Sequence, residues 1–229
     1  MIIVIEYSDK YSTYKISIFS LEPIDSKMYC IIKNNRSLII DPCCSDEVFE
    51  YLSQFSIKDV TILLTHEHID HISGVNELRS LYPCKVICSK ACGDSIRDSR
   101  RNLSEYMESF LDLKNEEWVD NSNFKRFYRY TCFADQIFEE MLSLKWENLN
   151  IFCKELPGHS NGSIGILIDE KYFFSGDSLI KDCDTITALP GGNRKLYSKV
   201  TKPYVDSLEK EIIIFPGHGN FFSKIENMY

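Results

Sequence analysis

All five histidines of this 229-residue chain sit in three short motifs, each placed where an apolar run stops. Thr65-His66-Glu67-His68-Ile69-Asp70-His71 holds three of them, Pro157-Gly158-His159-Ser160 the fourth and Pro216-Gly217-His218-Gly219 the fifth. Ser175-Gly176-Asp177, between the last two, adds a carboxylate. A single histidine is more often a hydrogen-bonded structural residue than a ligand. Five of them, every one beside a strand end and a Gly or Asp, fit a metal centre better. Imidazole and carboxylate together suit zinc and, with some shift of preference, iron or manganese. Such a centre constrains the fold, because segments distant in sequence must finish at one rim.

The local patterns agree with that demand. Val60 to Thr65 is a nearly unbroken apolar run, which suits a strand buried on both faces. Residues two apart in an extended segment point the same way, so His66 and His68 can grip one ion together. Asp70 and His71 are neighbours, diverge, and can reach around a second ion. From Ile72 the apolar residues fall at helical spacing through Val75, Leu78 and Leu81 until Pro83. The cluster therefore belongs in a strand-to-helix loop, the usual place for a site in open α/β sheets. Asn150 to Leu156 reads as a strand that Pro157-Gly158 stops before His159. Gly162 to Phe174 reads as a hairpin turning at Asp169-Glu170 and running on to Gly176-Asp177, and Glu211 to Phe215 as a strand ending at Pro216-Gly217-His218. Met1 to Tyr7 reads as a first strand and Ser45 to Gln54 as a short helix capped by Ser45.

The order His-x-His-x-Asp-His at 66 to 71, then His159, Asp177 and His218, resembles the metallo-β-lactamase superfamily, and the likeness runs from Asp41-Pro42 to Gly219. It implies a four-layer αβ/βα sandwich of the α/β class, two sheets face to face with helices outside, formed by a single domain over residues 1–229. It also implies ligand roles. His66, His68 and His159 would hold one metal, Asp70, His71 and His218 a second, with Asp177 bridging. The cofactors implied are two divalent ions, zinc first, with iron or manganese as alternatives. True β-lactamases of the family generally lack the bridging Asp, and flavodiiron proteins carry Glu where this chain has His68. The pattern is more similar to the glyoxalase II, lactonase and ribonuclease Z side. Glyoxalase II proper adds a C-terminal helical region with basic residues for glutathione, and the ten residues after Gly219 are expected to be too few for it. Asp41-Pro42-Cys43 stands where the family usually has Asp-Pro-Gly, so a differently shaped turn is expected there.

The resemblance implies a metal-dependent hydrolase that cleaves an ester, thioester or lactone of a small metabolite with a hydroxide shared between the ions. Two ions about 3.5–4 Å apart can lower the pKa of a shared water and stabilise the developing oxyanion. Asp70 is also given a catalytic proton role, and Tyr197 is a candidate for protonating the leaving group, against the plainer reading of a half-buried packing residue. Glu67 sits between two ligands at a His-Glu-His spacing rather than the His-Glu-x-x-His of zincins, and is read as non-catalytic and pointing away from the metals. One alternative is a mononuclear iron dioxygenase acting on a thiol persulfide through the first site alone. Another is a phosphodiesterase of the ribonuclease Z type.

Charge bears on the last option. With 26 Lys and Arg against 34 Asp and Glu the net charge is −8, which disfavours a nucleic-acid partner. No stretch reaches the ~20 apolar residues of a membrane span, and the first residues lack the pattern of a signal peptide. The nine cysteines form no Cys-x-x-Cys pair and are read as small buried hydrophobes, Cys84 and Cys88 on one strand face, in a reducing cytoplasm.

Between 93 and 143 the ligand motifs pause. Ser104 with Glu105 to Glu108 makes a plausible helix start toward Leu113, and Phe124 to Tyr130 is aromatic and basic. This segment is read as an insertion forming one wall of the substrate pocket. Arg100 and Arg101, or Lys125, Arg126 and Arg129, are candidates for receiving an anionic group, against a solvated helix face as the plainer reading. Asn102-Leu103-Ser104 is similar to a motif near the cleft of family members, and no role is assigned to it.

Overall fold

The computed structural model of the chain describes residues 3–8, 13–107, 109 and 124–227. Two sheets carry the fold. The first has seven strands in chain order: β1 (Ile3–Ser8), β2 (Thr13–Leu21), β3 (Ser26–Lys33), β4 (Arg36–Ile40), β5 (Asp59–Leu63), β6 (Cys84–Ser89) and β7 (Gln136–Phe138). Its first four strands are antiparallel and β4 to β7 are parallel. The second runs β13 (Phe222–Ser223), β12 (Ile213–Pro216), β11 (Tyr172–Gly176), β10 (Ile164–Ile168), β9 (Leu149–Glu155) and β8 (Met141–Trp146). Only β11 and β12 are parallel in that sheet.

Strand alternation sorts the apolar side chains into layers. Ile16, Ile18, Tyr29, Ile31, Leu38, Ile40 and Leu63 leave one face of the first sheet and meet Ile151, Cys153, Ile164, Ile166, Ile168, Phe174 and Phe215 of the second. The neighbours on the same strands, Phe19, Met28, Cys30, Ile39, Val60 and Ile62, point the other way. They are covered by α1 (Asp46–Ser53) through Val48 and Leu52, and by α3 (Val75–Leu81) through Val75 and Leu78. On the far side Phe173, Ile214 and Phe222 pack with Val205 of the helical turn Lys202–Asp206. The result is the expected four-layer αβ/βα sandwich, with β5 buried on both faces as its apolar run requires.

The hairpin β10–β11 turns through the three residues 169–171, with φ of 50° and 57° at Asp169 and Glu170, and Lys171 N donates to Ile168 O at 3.1 Å. Asp41 also has positive φ, 53°, so the turn after β4 is indeed unusual. The helix after the first cluster comes in two pieces, α2 (Ile69–Ile72) and α3, because Gly74 N donates to Pro42 O at 2.9 Å and draws the chain against that turn. The helix at Asp46 starts where expected, but the Ser45 side chain makes no cap hydrogen bond.

The segment read as an insertion from 93 to 143 contains elements of the two sheets and their helices. Its start belongs to α4 (Lys90–Ser95), and its end supplies edge strand β7 and the beginning of β8. Ser104–Tyr106 forms a 3-10 turn leading into Met107, and most of the expected helix beyond lies outside the described residues. Phe127 and Tyr130 are buried in the core under α3, while Arg126 and Arg129 face solvent. Among the described residues no helix is long and apolar enough to cross a membrane.

Candidate metal centre

Four strand ends converge on one rim. His66, His68, Asp70 and His71 follow β5, His159 follows β9, Asp177 follows β11 and His218 follows β12. The structure brings all seven together. His68 Nδ1 lies 3.1 Å from His159 Nε2, and His66 joins them in a group whose ligand atoms fall within 4.8 Å of one another. Asp70, His71 and His218 form a second such group: Asp70 Oδ2 is 3.2 Å from His71 Nε2 and 3.3 Å from His218 Nε2. Asp177 stands between the two. Its Oδ2 is 3.5 Å from His159 Nε2 and 3.4 Å from His218 Nε2, and its Oδ1 is 3.5 Å from His71 Nε2.

Four of the five rings are aimed by their other nitrogen. His159 Nδ1 donates to Ile186 O at 2.8 Å and His218 Nδ1 to Ile24 O at 3.1 Å. His71 Nδ1 meets Asp41 Oδ2 at 3.1 Å, and His66 Nδ1 meets Thr65 Oγ1 at 3.1 Å. An imidazole that donates from Nδ1 presents a lone pair at Nε2, the form a metal needs. On the cluster side, the buried atoms His66 Nε2, His71 Nε2 and Asp177 Oδ1 have no hydrogen-bond partner. Buried polar atoms left without partners are rare and costly, so these residues fit a cation among them.

The electrostatics divide the centre into unlike halves. Burial, helped by neighbouring imidazoles, pushes His66 well below its usual value and His68 down to about 3, so these two rings are neutral. In the other half burial opposes ionisation of Asp70 and Asp177, yet His71 and His218 outweigh it and hold both carboxyls well below the usual range. Burial likewise disfavours charge on His71 and His218, but the carboxylates raise His71 well above its usual value and His218 to about 10. Two carboxylates balanced by two imidazoliums make a charge pattern that a divalent ion can take over.

Two acidic side chains that the sequence reading did not place in the site support it from behind. Asp41, 2% exposed, accepts hydrogen bonds from Thr65 N at 2.7 Å and from Thr65 Oγ1, and it holds His71 Nδ1. It also lies within reach of His66, but with its oxygens committed it is a support rather than a ligand. Glu67, 2% exposed, accepts from Ser160 Oγ at 2.8 Å and ties the first cluster to the loop that carries His159. A Cβ on Gly162 would collide with the Glu67 carboxylate and with the Cys92 backbone, so only glycine lets these loops close on each other. Gly217 has the same function beside Asp177, whose Oδ1 occupies the space a Cβ would need.

A cavity of about 270 Å³ opens over the centre, lined by His68, Asp70, His159, Asp177 and His218 on its floor. Its walls are Ile24, Ile69, Leu103, Met107, Ile186 and Leu189. Tyr197 is elsewhere: its hydroxyl accepts from Thr185 Oγ1 at 2.9 Å in a neighbouring hollow, and its Cβ packs on Gly158. The candidate arginines are also elsewhere. Arg100 and Arg129 lie 3.5 and 3.6 Å from Glu105, Arg101 3.8 Å from Asp98, and Arg126 3.4 Å from Asp46. The side chain of Lys125 lies outside the described residues.

Comparison with known proteins gives matches across the whole sandwich. Residues 22–218 match the family described as metallo-beta-lactamase superfamily. The chain is 25% identical over 199 residues to the probable metallo-hydrolase YqgX of Bacillus subtilis, covering 86% of each. It is 26% identical over 202 residues to the hydroxyacylglutathione hydrolase of Francisella philomiragia, covering 86% of this chain but only 64% of that protein. Its fold superposes on the BLEG-1 B3 metallo-beta-lactamase with a TM-score of 0.76 at 23% identity, covering 93% and 96% of the two chains.

Proposed function

The chain belongs to the metallo-β-lactamase superfamily, and on that premise we propose that it is a dinuclear metal-dependent hydrolase of a small ester, thioester or lactone. The observation that carries this reading is the pair of ligand groups meeting at Asp177, with imidazole nitrogens aimed inward and unpartnered. His66, His68 and His159 would hold one divalent ion, and Asp70, His71 and His218 the other. Asp177 would touch both. Zinc suits this donor set best. When bound, the ions supply an activated water and stabilise negative charge on the reacting oxygen.

The protein's own residues do the rest. Asp70 lines the cavity, so its carboxylate is placed to orient the attacking water and accept its proton. The carbonyl carbon gains the water's oxygen, its bond to the leaving oxygen or sulfur breaks, and the leaving group departs with a proton. The apolar walls limit bulk water. The segment within 93–143 contributes Leu103 and Met107 to those walls. A mononuclear dioxygenase would use the first group, with Asp177 beside it, and leave the second group's Asp70 and His71 without a ligand role. The likeness to a relative named hydroxyacylglutathione hydrolase supports a small-molecule substrate. Nine free cysteines, eight of them buried or half-buried, support a reducing cytoplasm.

Metal content of protein purified without added metal tests the reading. Two equivalents per chain, with turnover lost in Asp70→Ala and His159→Ala, are expected. One equivalent of iron with persulfide-dependent oxygen uptake would replace it with the dioxygenase.

A further inference from the structure

The walls of the cavity over the centre carry no charged side chain among the described residues: Ile24, Ile69, Leu103, Met107, Ile186 and Leu189 form them. Ile186, one of these wall residues, is 59% exposed. Leu103 is held with φ at 68°, a left-handed conformation that a leucine adopts at a cost. The neighbouring Asn102 maintains it. Asn102 Nδ2 donates to Tyr130 O at 2.8 Å, its Oδ1 accepts from Ser104 N at 3.0 Å, and its carbonyl accepts from Ile69 N at 2.9 Å. The fold thus spends strain to present an aliphatic side chain to the metal ligands.

We propose that this site is selective for a short, uncharged acyl group, with Leu103 and Met107 as specificity-determining residues, and that it disfavours an anionic carrier such as a glutathione thioester. The inference rests on the hydrolase reading above and deepens it. Three observations carry it. The walls are apolar. The volume of about 270 Å³ falls below the roughly 300–1,000 Å³ that drug-sized ligands fill. The nearby arginines face carboxylates rather than the cavity.

The metal-loaded full chain would be assayed with acetyl, propionyl, butyryl and hexanoyl thioesters of a neutral thiol, N-acetylcysteamine, beside a hydroxyacyl glutathione thioester. Burying each added methylene raises kcat/KM about fourfold until the cavity is full. The glutathione thioester is expected to be slower than the butyryl substrate. Leu103→Asn, which keeps a residue tolerant of positive φ, should flatten the rise, and Met107→Ser is the second variant should that one fold poorly. A flat or falling series in wild type, or preference for the glutathione thioester, overturns the inference. Binding of alkyl hydroxamates of the same chain lengths reads the pocket without turnover. Chain-length-dependent binding with no hydrolysis of any thioester or ester overturns the hydrolase reading while upholding the apolar acyl pocket. Hydrolysis with no chain-length dependence in either series overturns the pocket alone.

Discussion

Replacing Asp41 by Asn separates aiming a ligand from being one. Asp41 Oδ1 takes the Thr65 N–H, and Oδ2 takes both the Thr65 hydroxyl and His71 Nδ1–H. In the amide the oxygen must stay on the backbone N–H, which puts NH2 where Oδ2 was. The Thr65 hydroxyl can rotate and accept, but His71 cannot while Nδ1 carries its proton. It must either keep an unpaired buried donor, at about 1–3 kcal/mol, or move the proton to Nε2 and block the nitrogen that faces Asp70 and Asp177. Either penalty falls on the metal-bound state, so affinity for one of two equivalents drops roughly fivefold to 150-fold. The affinity of the group formed by His66, His68 and His159 changes little. Competition against a chromophoric chelator would resolve the two equivalents, and urea unfolding after metal removal would confirm an intact fold. If Asp41→Asn binds both equivalents within twofold of wild type, the assignment of Asp41 as the group that sets the His71 tautomer is wrong.

Three further outcomes are expected. Gly217→Ala places a methyl against Asp177 Oδ1 and 2.8 Å from His71 Cε1, so it should lose at least one metal equivalent while circular dichroism stays native. Phe215→Ala removes a fully buried ring whose centroid lies 4.9 Å from Phe174 and 5.4 Å from Tyr29, and should cost about 3–5 kcal/mol in denaturant unfolding. Burial pushes the thiols of Cys30, Cys43 and Cys153 to about 12, whereas Cys183 is exposed. At neutral pH a disulfide reagent should therefore titrate Cys183 quickly in the folded protein and all nine thiols only after unfolding.

Much of this architecture was legible because its signals are local. Apolar runs at Val60 to Thr65 and Asn150 to Leu156 end at residues that either bind or turn, so strand, stop and ligand are adjacent in the sequence. The hairpin at Asp169-Glu170 was equally clear from its flanking runs. What was hidden depends on distance in the chain. Asp41 closes a strand as Asp177 does, a signal that could have been used, but its contact with His71 across the parallel pair β4 and β5 has no sequence marker. The spacing sets Glu67 apart from the ligands, yet its bond to Ser160 has no sequence marker and exists only where the two loops meet. Strand β7 is three residues at a sheet edge, too short to show alternation in the sequence. The arginines were offered to a substrate because their carboxylate partners, Glu105 and Asp46, are chosen by tertiary packing.

The carbonyls that orient His218 and His159 belong to Ile24 and Ile186, and the side chains of those same two residues wall the cavity. The shape of the cavity and the alignment of the ligands are therefore written in the same two loops. A loop exchange meant to widen the pocket would rotate an imidazole as well, so a chain of this kind can alter its substrate most freely through Leu103 and Met107, whose backbones hold no ligand.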